Sequence, residues 1–408
     1  MAAEVNVMER EVFHVVSAEA VPFRSLDASR ARLVRWLVDD AYPLWWSRGM
    51  DRQHGGFHER LEQDGQPLNE ARRARLHPRQ MVAFSLADDV GHDGMTEPAV
   101  AHALEFFLRH YVRADRLIRA CVAPDGNCVD DSVVLYDQAF ALLGYATAYD
   151  VLKDRSLCQR ADALLAAVQG CLANPAGGFF ETPDRQRTAT SNSHMHLLEA
   201  ALAWQVADHD VRWRRLAASI VELVFAKLID TASSQIREFY TGEWQPAQGE
   251  AGLIVEPGHQ FEWAWLLLRW YSSTGEARAA KLATTLIDEA ERRGVDPQRD
   301  VAVNSIWLDG RVRDRRARLW PQTERLKAGC AAWELTRAPR YLDIAQRSAA
   351  ALEQYLRTET PGLWRDQMSD RGDFIEEPAP ASSFYHLVAA IGVLNATLSR
   401  TSHRWLAR

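Results

Sequence analysis

Two short segments of this chain each set a histidine and a glutamate three residues apart at the start of an apolar helical run. They are His196 with Glu199, and His259 with Glu262. At that spacing two side chains share one face of a helix. A third segment, Ser382-Ser383-Phe384-Tyr385-His386-Leu387, opens the last apolar helix with another histidine. Histidine changes charge near neutral pH and is the commonest general acid or base. Three imidazoles at equivalent places in a repeating pattern predict a shared pocket with proton-transfer chemistry.

The elements that position these residues recur along the chain. Gly55-Gly56-Phe57-His58-Glu59 is echoed by Gly177-Gly178-Phe179-Phe180-Glu181, Ile306-Trp307-Leu308-Asp309-Gly310 and Gly362-Leu363-Trp364-Arg365-Asp366. Looser copies lie at 117–127 and 238–244. Each reads as a small β-hairpin or extended loop, because apolar positions flank a turn signal. One notable residue near the start of each following helix gives the series Arg79, Phe140, His196, His259, Gln322, His386, with steps of 61, 56, 63, 63 and 64. That period fits a helical hairpin plus its loop. The intervening segments 30–44, 98–111, 155–173, 210–229, 277–293 and 340–358 show helical spacing of apolar residues. Six such hairpins close into an all-α (α/α)6 barrel, with short β-hairpins and long loops at one end. The run 261–271 is apolar nearly all round, as an inner helix should be. We expect one barrel domain over 23–408, preceded by a flexible arm over 1–22. An open α-solenoid for protein binding is the competing architecture.

Composition excludes several classes. The 408 residues are 47% hydrophobic and 25% charged, which is ordinary for a globular protein, and the net charge of −7 is no nucleic-acid footprint. The basic run 311–318 reads as a solvated loop, with an anionic substrate group as the minority reading. Five cysteines without a CxxC pair argue against a disulfide framework or structural zinc. No signal pattern opens the chain, and no uninterrupted apolar stretch approaches the roughly 18 residues that span a bilayer. The expectation is a cytoplasmic protein without nucleic-acid or membrane partners.

Several further motifs make the chain resemble the N-acylglucosamine 2-epimerase superfamily. They are Leu44-Trp45-Trp46, Asp51 through Phe57 (DRQHGGF), Pro78-Arg79-Gln80-Met81, Asn192 through Ala200 (NSHMHLLEA), Pro257 through Trp265 (PGHQFEWAW), Leu319 through Glu324 (LWPQTE) and Glu376 through His386 (EEPAPASSFYH). The resemblance runs from about residue 30 to the end and is greatest to the mannose isomerase branch. It implies the (α/α)6 barrel, and proton movement next to a sugar carbonyl through an enediol. The partner implied is a monosaccharide, without cofactor or metal, and the enzyme a monomer or homodimer. The reaction expected is interconversion of D-mannose and D-fructose (or D-lyxose and D-xylulose). The alternative is 2-epimerisation with two histidines on opposite faces.

The same resemblance assigns roles. His386 is the expected base between C1 and C2. His259 is the acid/base for ring opening, with Glu262 orienting it. Arg79 stabilises the oxyanion, since guanidinium offers a charged planar fork. Asn192 and His196 bind sugar hydroxyls, Glu199 supports His196, and His194 is structural. Trp320, Trp364, Phe140 and Phe384 are expected to form an apolar platform. Cellobiose epimerases typically carry tryptophan two residues before the last histidine; Phe384 stands there and weakens the case for a disaccharide. Glu324, Glu376 and Asp366 stay unassigned. A metal site would need further carboxylates and the reverse order of Glu and His. Glycoside hydrolysis would need two carboxylates flanking the bond. Non-catalytic sugar or protein binding is the third rival.

Overall fold

The structure is a computed structural model that describes residues 20–399 apart from Asp93. The arm expected over 1–22 lies outside the described residues up to position 19, and a helix begins at Ala20. Twelve long helices follow among the described residues. Those on the outside are α1 (Ala20–Arg35), α3 (Thr96–His110), α5 (Ser156–Leu172), α7 (Val211–Leu223), α9 (Ala277–Gly294) and α11 (Pro339–Tyr355). Alternating with them, on the inside, are α2 (Leu76–Ser85), α4 (Leu135–Leu152), α6 (Ser191–Ala207), α8 (Pro257–Thr274), α10 (Leu319–Thr336) and α12 (Phe384–Leu398).

Burial separates the two rings. Every residue of α8 from Pro257 to Trp270 is buried. In α9 the buried Ala279, Ala283, Leu286, Ile287 and Ala290 form one stripe at helical spacing. The chain returns from inner to outer helices by short turns and from outer to inner helices by long loops. The N-termini of the inner helices therefore all meet the long loops at one end. The ring closes because α12 packs against both α10 and α2, and α1 packs against α11 and α12. By composition alone the segment Ala381–Leu398 would be long and apolar enough to cross a membrane. It is instead an inner helix, 78% buried.

Expected β-hairpins form at Cys121–Val122 with Cys128–Asp130 and at Ser305–Trp307 with Val312–Asp314, and others at Ile229–Asp230 with Gln235–Ile236 and Val295–Asp296 with Val301–Ala302. Further ladders of two or three residues join successive loops. Arg72–Arg73 pairs with Cys121–Val122, Ala189–Thr190 with Phe239–Tyr240, Ile254–Val255 with Ser305–Trp307, and Ala317–Arg318 with Gln367–Met368. Arg60–Leu61 pairs with Ala379–Pro380, so the first and last loops also join. A two-residue hairpin cannot stand alone in water. Pairing with the neighbouring repeat satisfies these backbone groups and makes the loop end one continuous rim.

Inner helices hold this rim by a repeated device. Gln138, Gln260 and Gln322 each donate from Nε2 to a loop carbonyl and accept from the same residue's N–H, those of Ile118, Ile236 and Ala302, at 2.8–2.9 Å. His194 holds the equivalent position in α6. Its Nδ1–H donates to the Thr190 carbonyl (3.1 Å), and Nε2 accepts the Phe179 N–H (3.0 Å). Gln322 thus belongs to the rim-holding set, and Trp320, two residues earlier, faces the histidines instead.

Candidate active site

Two residues beyond the rim-holding positions, α4, α6, α8 and α10 contribute Phe140, His196, Glu262 and Glu324 to a deeper layer. His386 reaches this layer from α12. Its Nδ1 lies 2.8 Å from Glu324 Oε1. An ionised carboxylate only accepts, so Nδ1 carries the hydrogen and Nε2 keeps a lone pair. Burial, reinforced by Arg79 and Lys327, holds the His386 pKa well below the ordinary histidine value. The ring is therefore neutral at working pH, as a base must be.

His259 has the opposite environment. Its Nδ1–H donates to Glu238 Oε2 at 2.8 Å, and Glu256 Oε2 lies 3.7 Å away. Burial opposes the charged form, but Glu238 and Glu256 overcome it and raise the pKa to about 9. Trp320 touches both histidines, 4.9 Å from the His259 ring and 5.7 Å from the His386 ring. One buried imidazolium and one buried neutral imidazole contact a single indole. Environments that drive two pKa values apart are how a site divides acid from base.

The expected pairing of Glu262 with His259 is not what the structure contains. Three residues of helix rise put Glu262 about 4.5 Å deeper along the axis. There it lies 4.0 Å from His196 Nδ1 and close to Glu324 and His386. The carboxylate on His259 is Glu238, from the preceding loop. Its signal was present in sequence: Glu59 and Glu181 end the two Gly-Gly-Phe segments, and Glu238 opens the looser copy. Each accepts hydrogen bonds from the start of the next inner repeat, Glu59 from Arg73 N–H and Glu181 from Thr190 N–H at 2.9 Å, Glu238 from Glu256 N–H at 3.3 Å.

Arg79 donates from Nη2 to the Tyr136 hydroxyl at 2.6 Å, and its guanidinium lies 4.3 Å from the Phe140 ring centre. His196 donates from Nδ1 to Glu199 Oε2 at 3.0 Å and contacts Phe140 at 4.4 Å. Glu199 also accepts from the Tyr385 hydroxyl. Asn192 Oδ1 is buried with no hydrogen-bond partner among the described residues, which leaves it free to accept from a ligand. Tyr136, Tyr385 and Lys327, none of them singled out in the sequence, complete the site. Lys327 lies 2.6 Å from Glu324 Oε2.

Of the four aromatics expected to form a platform, only Trp320 is partly exposed. Trp364 and Phe384 are fully buried in a stack with Trp45, whose ring lies 4.8 Å from Trp364 and 5.8 Å from Phe384. They are core, because the last loop folds over Trp45. Phe140 is also fully buried and underpins Arg79 and His196. Asp366 accepts from Ser383 Oγ at 2.7 Å, and Glu376 lies at the surface beside Arg365. The basic run is largely tied down: Arg311 to Asp309, Arg315 to Asp296 and Arg316 to Asp314, all within 2.9 Å. Arg318 reaches toward the site, 3.4 Å from Glu256 and over Trp320.

Three clusters among the described residues offer metal-like donor sets: His196 with Glu199 and Glu262, Glu238 with Glu256 and His259, and Glu262 with Glu324 and His386. Lys327 already sits among the carboxylates of the first and last as a cation. Six inner-helix N-termini also converge on this end, and their dipoles favour developing negative charge there.

This (α/α)6 barrel, with histidines and an arginine at the loop end, belongs to a class of sugar isomerases and epimerases. The sequence matches the N-acylglucosamine 2-epimerase (GlcNAc 2-epimerase) family over residues 55–390, and the chain belongs to that family. It is 42% identical over 375 residues to a protein of Rhizobium meliloti (strain 1021) named mannose-6-phosphate isomerase, covering 90% of this chain and 97% of that one. In structure it is similar to the cellobiose 2-epimerase of Spirochaeta thermophila DSM 6192 (TM-score 0.82, 22% identity, 92% and 98% coverage). It is likewise similar to a D-mannose isomerase (TM-score 0.79, 19% identity, 95% and 100% coverage).

Proposed function

We propose that this chain is an aldose–ketose isomerase that interconverts D-mannose and D-fructose through an enediol. The observation that carries the reading is the pair of oppositely tuned histidines that share contact with Trp320. Protonated His259 donates to the ring oxygen as the C1–O5 bond breaks and takes up the O1 hydrogen as the C1 carbonyl forms, so the hemiacetal opens with no net change at His259. His386 Nε2 then takes the C2 proton. The C–H electron pair becomes the C1–C2 double bond, and charge moves onto O1 beside Arg79. Return of the proton from His386 to C1, with the O2 proton passing to O1, leaves the carbonyl at C2 and completes the ketose. Reprotonation at C2 from the opposite face would give the epimer. Oxyanion stabilisation by fixed donors is commonly the largest part of such catalysis, and Arg79, held by Tyr136 and Phe140, supplies it. The carboxylate layer already has Lys327 as its cation, so the reaction is expected to persist in a strong chelator.

A second reading concerns the substrate's charge. The Rhizobium meliloti relative named for mannose 6-phosphate is 42% identical, and Arg318 beside the site gives a phosphate a cationic neighbour. The test is proton NMR of the enzyme with D-mannose, and separately with its 6-phosphate, in deuterated water. Fructose or its 6-phosphate as first product supports isomerisation, and the ratio of kcat/KM for the two sugars names the substrate. Glucose without fructose would replace this reading by the epimerase, and turnover of neither sugar would remove it.

A further inference from the structure

Below the histidines lies a charge problem that the isomerase reading does not by itself resolve. Glu199, Glu262 and Glu324 are all buried within one layer, and Lys327 is the cation set among them. The other groups facing this layer are Arg79 from α2, Tyr136 from α4, His196 from α6, His259 and the buried Arg269 from α8, which acts on Glu199, and Tyr385 with His386 from α12. His196 is neutral, its pKa lowered to about 4 chiefly by burial. Tyr385 and His386 are neutral too. His259 is charged but spends that charge on Glu238 and Glu256, and Arg79 lies against Tyr136 and Phe140.

The three carboxyl groups are not equally provided for. Glu199 accepts from His196 and Tyr385. Glu324 holds Lys327 at 2.6 Å and His386 at 2.8 Å. Glu262 Oε1 is buried with no hydrogen-bond partner among the described residues. A cavity of about 130 Å³ runs along the barrel axis beneath the layer, lined by all six inner helices; Glu199 and Lys327 border it and Glu262 does not. An unpaired buried carboxylate costs several kcal/mol, and a group in that position takes up a proton instead.

We propose that Glu262 carries a proton in the resting enzyme, and that this neutral carboxyl group, set between the His196–Glu199 and His386–Glu324 pairs, keeps His386 in its basic form. An ionised Glu262 would add a third negative charge to the layer that Lys327 and Arg269 serve and draw a proton onto His386, filling the lone pair that must receive the C2 hydrogen. Glu262 is a positioning residue, acting through His386. Burial and the neighbouring Glu324 push its pKa well above the ordinary carboxylate range, in agreement with this placement. The inference rests on the isomerase reading for its consequence, though the protonation itself does not need a substrate to be observed.

The test compares Glu262→Gln, a neutral group of the same shape, with Glu262→Met, which keeps the volume and removes the polar atoms. We expect E262Q to fold, to leave the acid limb of the pH profile unmoved and to be at least as active as E262M. E262M is equally uncharged and should fold with the acid limb unmoved, its loss confined to kcat through the missing hydrogen-bonding atoms. Infrared spectra of the sugar-free enzyme labelled with carbon-13 glutamate should contain a protonated-carboxyl C=O band at neutral pH that E262Q removes. Loss of 100-fold or more in E262Q, or of its fold, would overturn the proposal, because an amide then fails to replace the group. So would an infrared band that E262Q leaves unchanged. A stoichiometric divalent cation in the purified enzyme, needed for activity, would also overturn it by supplying the balancing charge. Failure of any sugar to react would remove the isomerase reading and leave the infrared result to decide this one.

Discussion

His386 and His259 are the same side chain given opposite charge by their neighbours, and the difference is open to direct measurement. Glu324 fixes the His386 tautomer, and burial beside Arg79 and Lys327 keeps it neutral. Replacing His386 with Gln should lower kcat by about 10³-fold, within the usual range for a positioned base, while sugar binding measured by calorimetry persists. His259 needs its proton, and its pKa is raised to about 9. Activity that depends on the imidazolium is complete well below that value and falls as pH rises through about 9. Glu238→Gln removes the nearer carboxylate and leaves burial, which lowers the pKa. The alkaline limb of kcat/KM should therefore move to lower pH in E238Q. An unmoved limb would mean that His259 does not act as the acid.

At the scale of elements, the inner helices and the loop rim are locked by close approaches that no side chain can enter. Gly178 has φ +65, and a Cβ there would lie 2.8 Å from His194 Nε2 and 2.9 Å from Leu223 Cδ2. Gly275 caps α8 with φ +74 and open space around it. Gly275→Ala should cost about 1 kcal/mol, the ordinary penalty of a left-handed alanine. Gly178→Ala should cost about 3 kcal/mol, since overpacking is added to the same backbone penalty. Urea denaturation of both variants checks the difference. Equal losses would mean that the loop moves aside and that His194 is not a fixed strut.

The whole molecule is a closed ring, and closure changes how it should fail. In an open solenoid each repeat rests mainly on its neighbours, so the loss of a terminal one leaves the rest folded. Here α12 is shared between α10 and α2, and the first and last loops pair through Arg60–Leu61 and Ala379–Pro380. A chain truncated after Pro378 exposes an inner face of α10 and another of α2. It should lose the cooperative unfolding transition and be cut rapidly by protease. A stable, cooperatively folded truncation product would favour solenoid-like behaviour over closure.

The sequence by itself determined the period near 60 residues, the inner and outer helices, and the histidines, because these depend on spacing along one helix or from one repeat to the next. His196 with Glu199 is such a local pair, and it forms as its spacing predicts. The partners that set charge came from elsewhere in the chain. Glu238 lies 21 residues before His259 and Glu324 lies 62 before His386, so no spacing rule on a single helix finds them. Spacing also misplaced Glu262, which shares a helix face with His259 but lies one turn deeper, where the chemistry of another layer applies. Trp364 and Phe384 look like platform residues until the last loop folds over Trp45 and takes them into the core. Which imidazole is acid and which is base was decided only by the tertiary structure, because burial and distant carboxylates, rather than residue type, set the proton affinity of a buried ring.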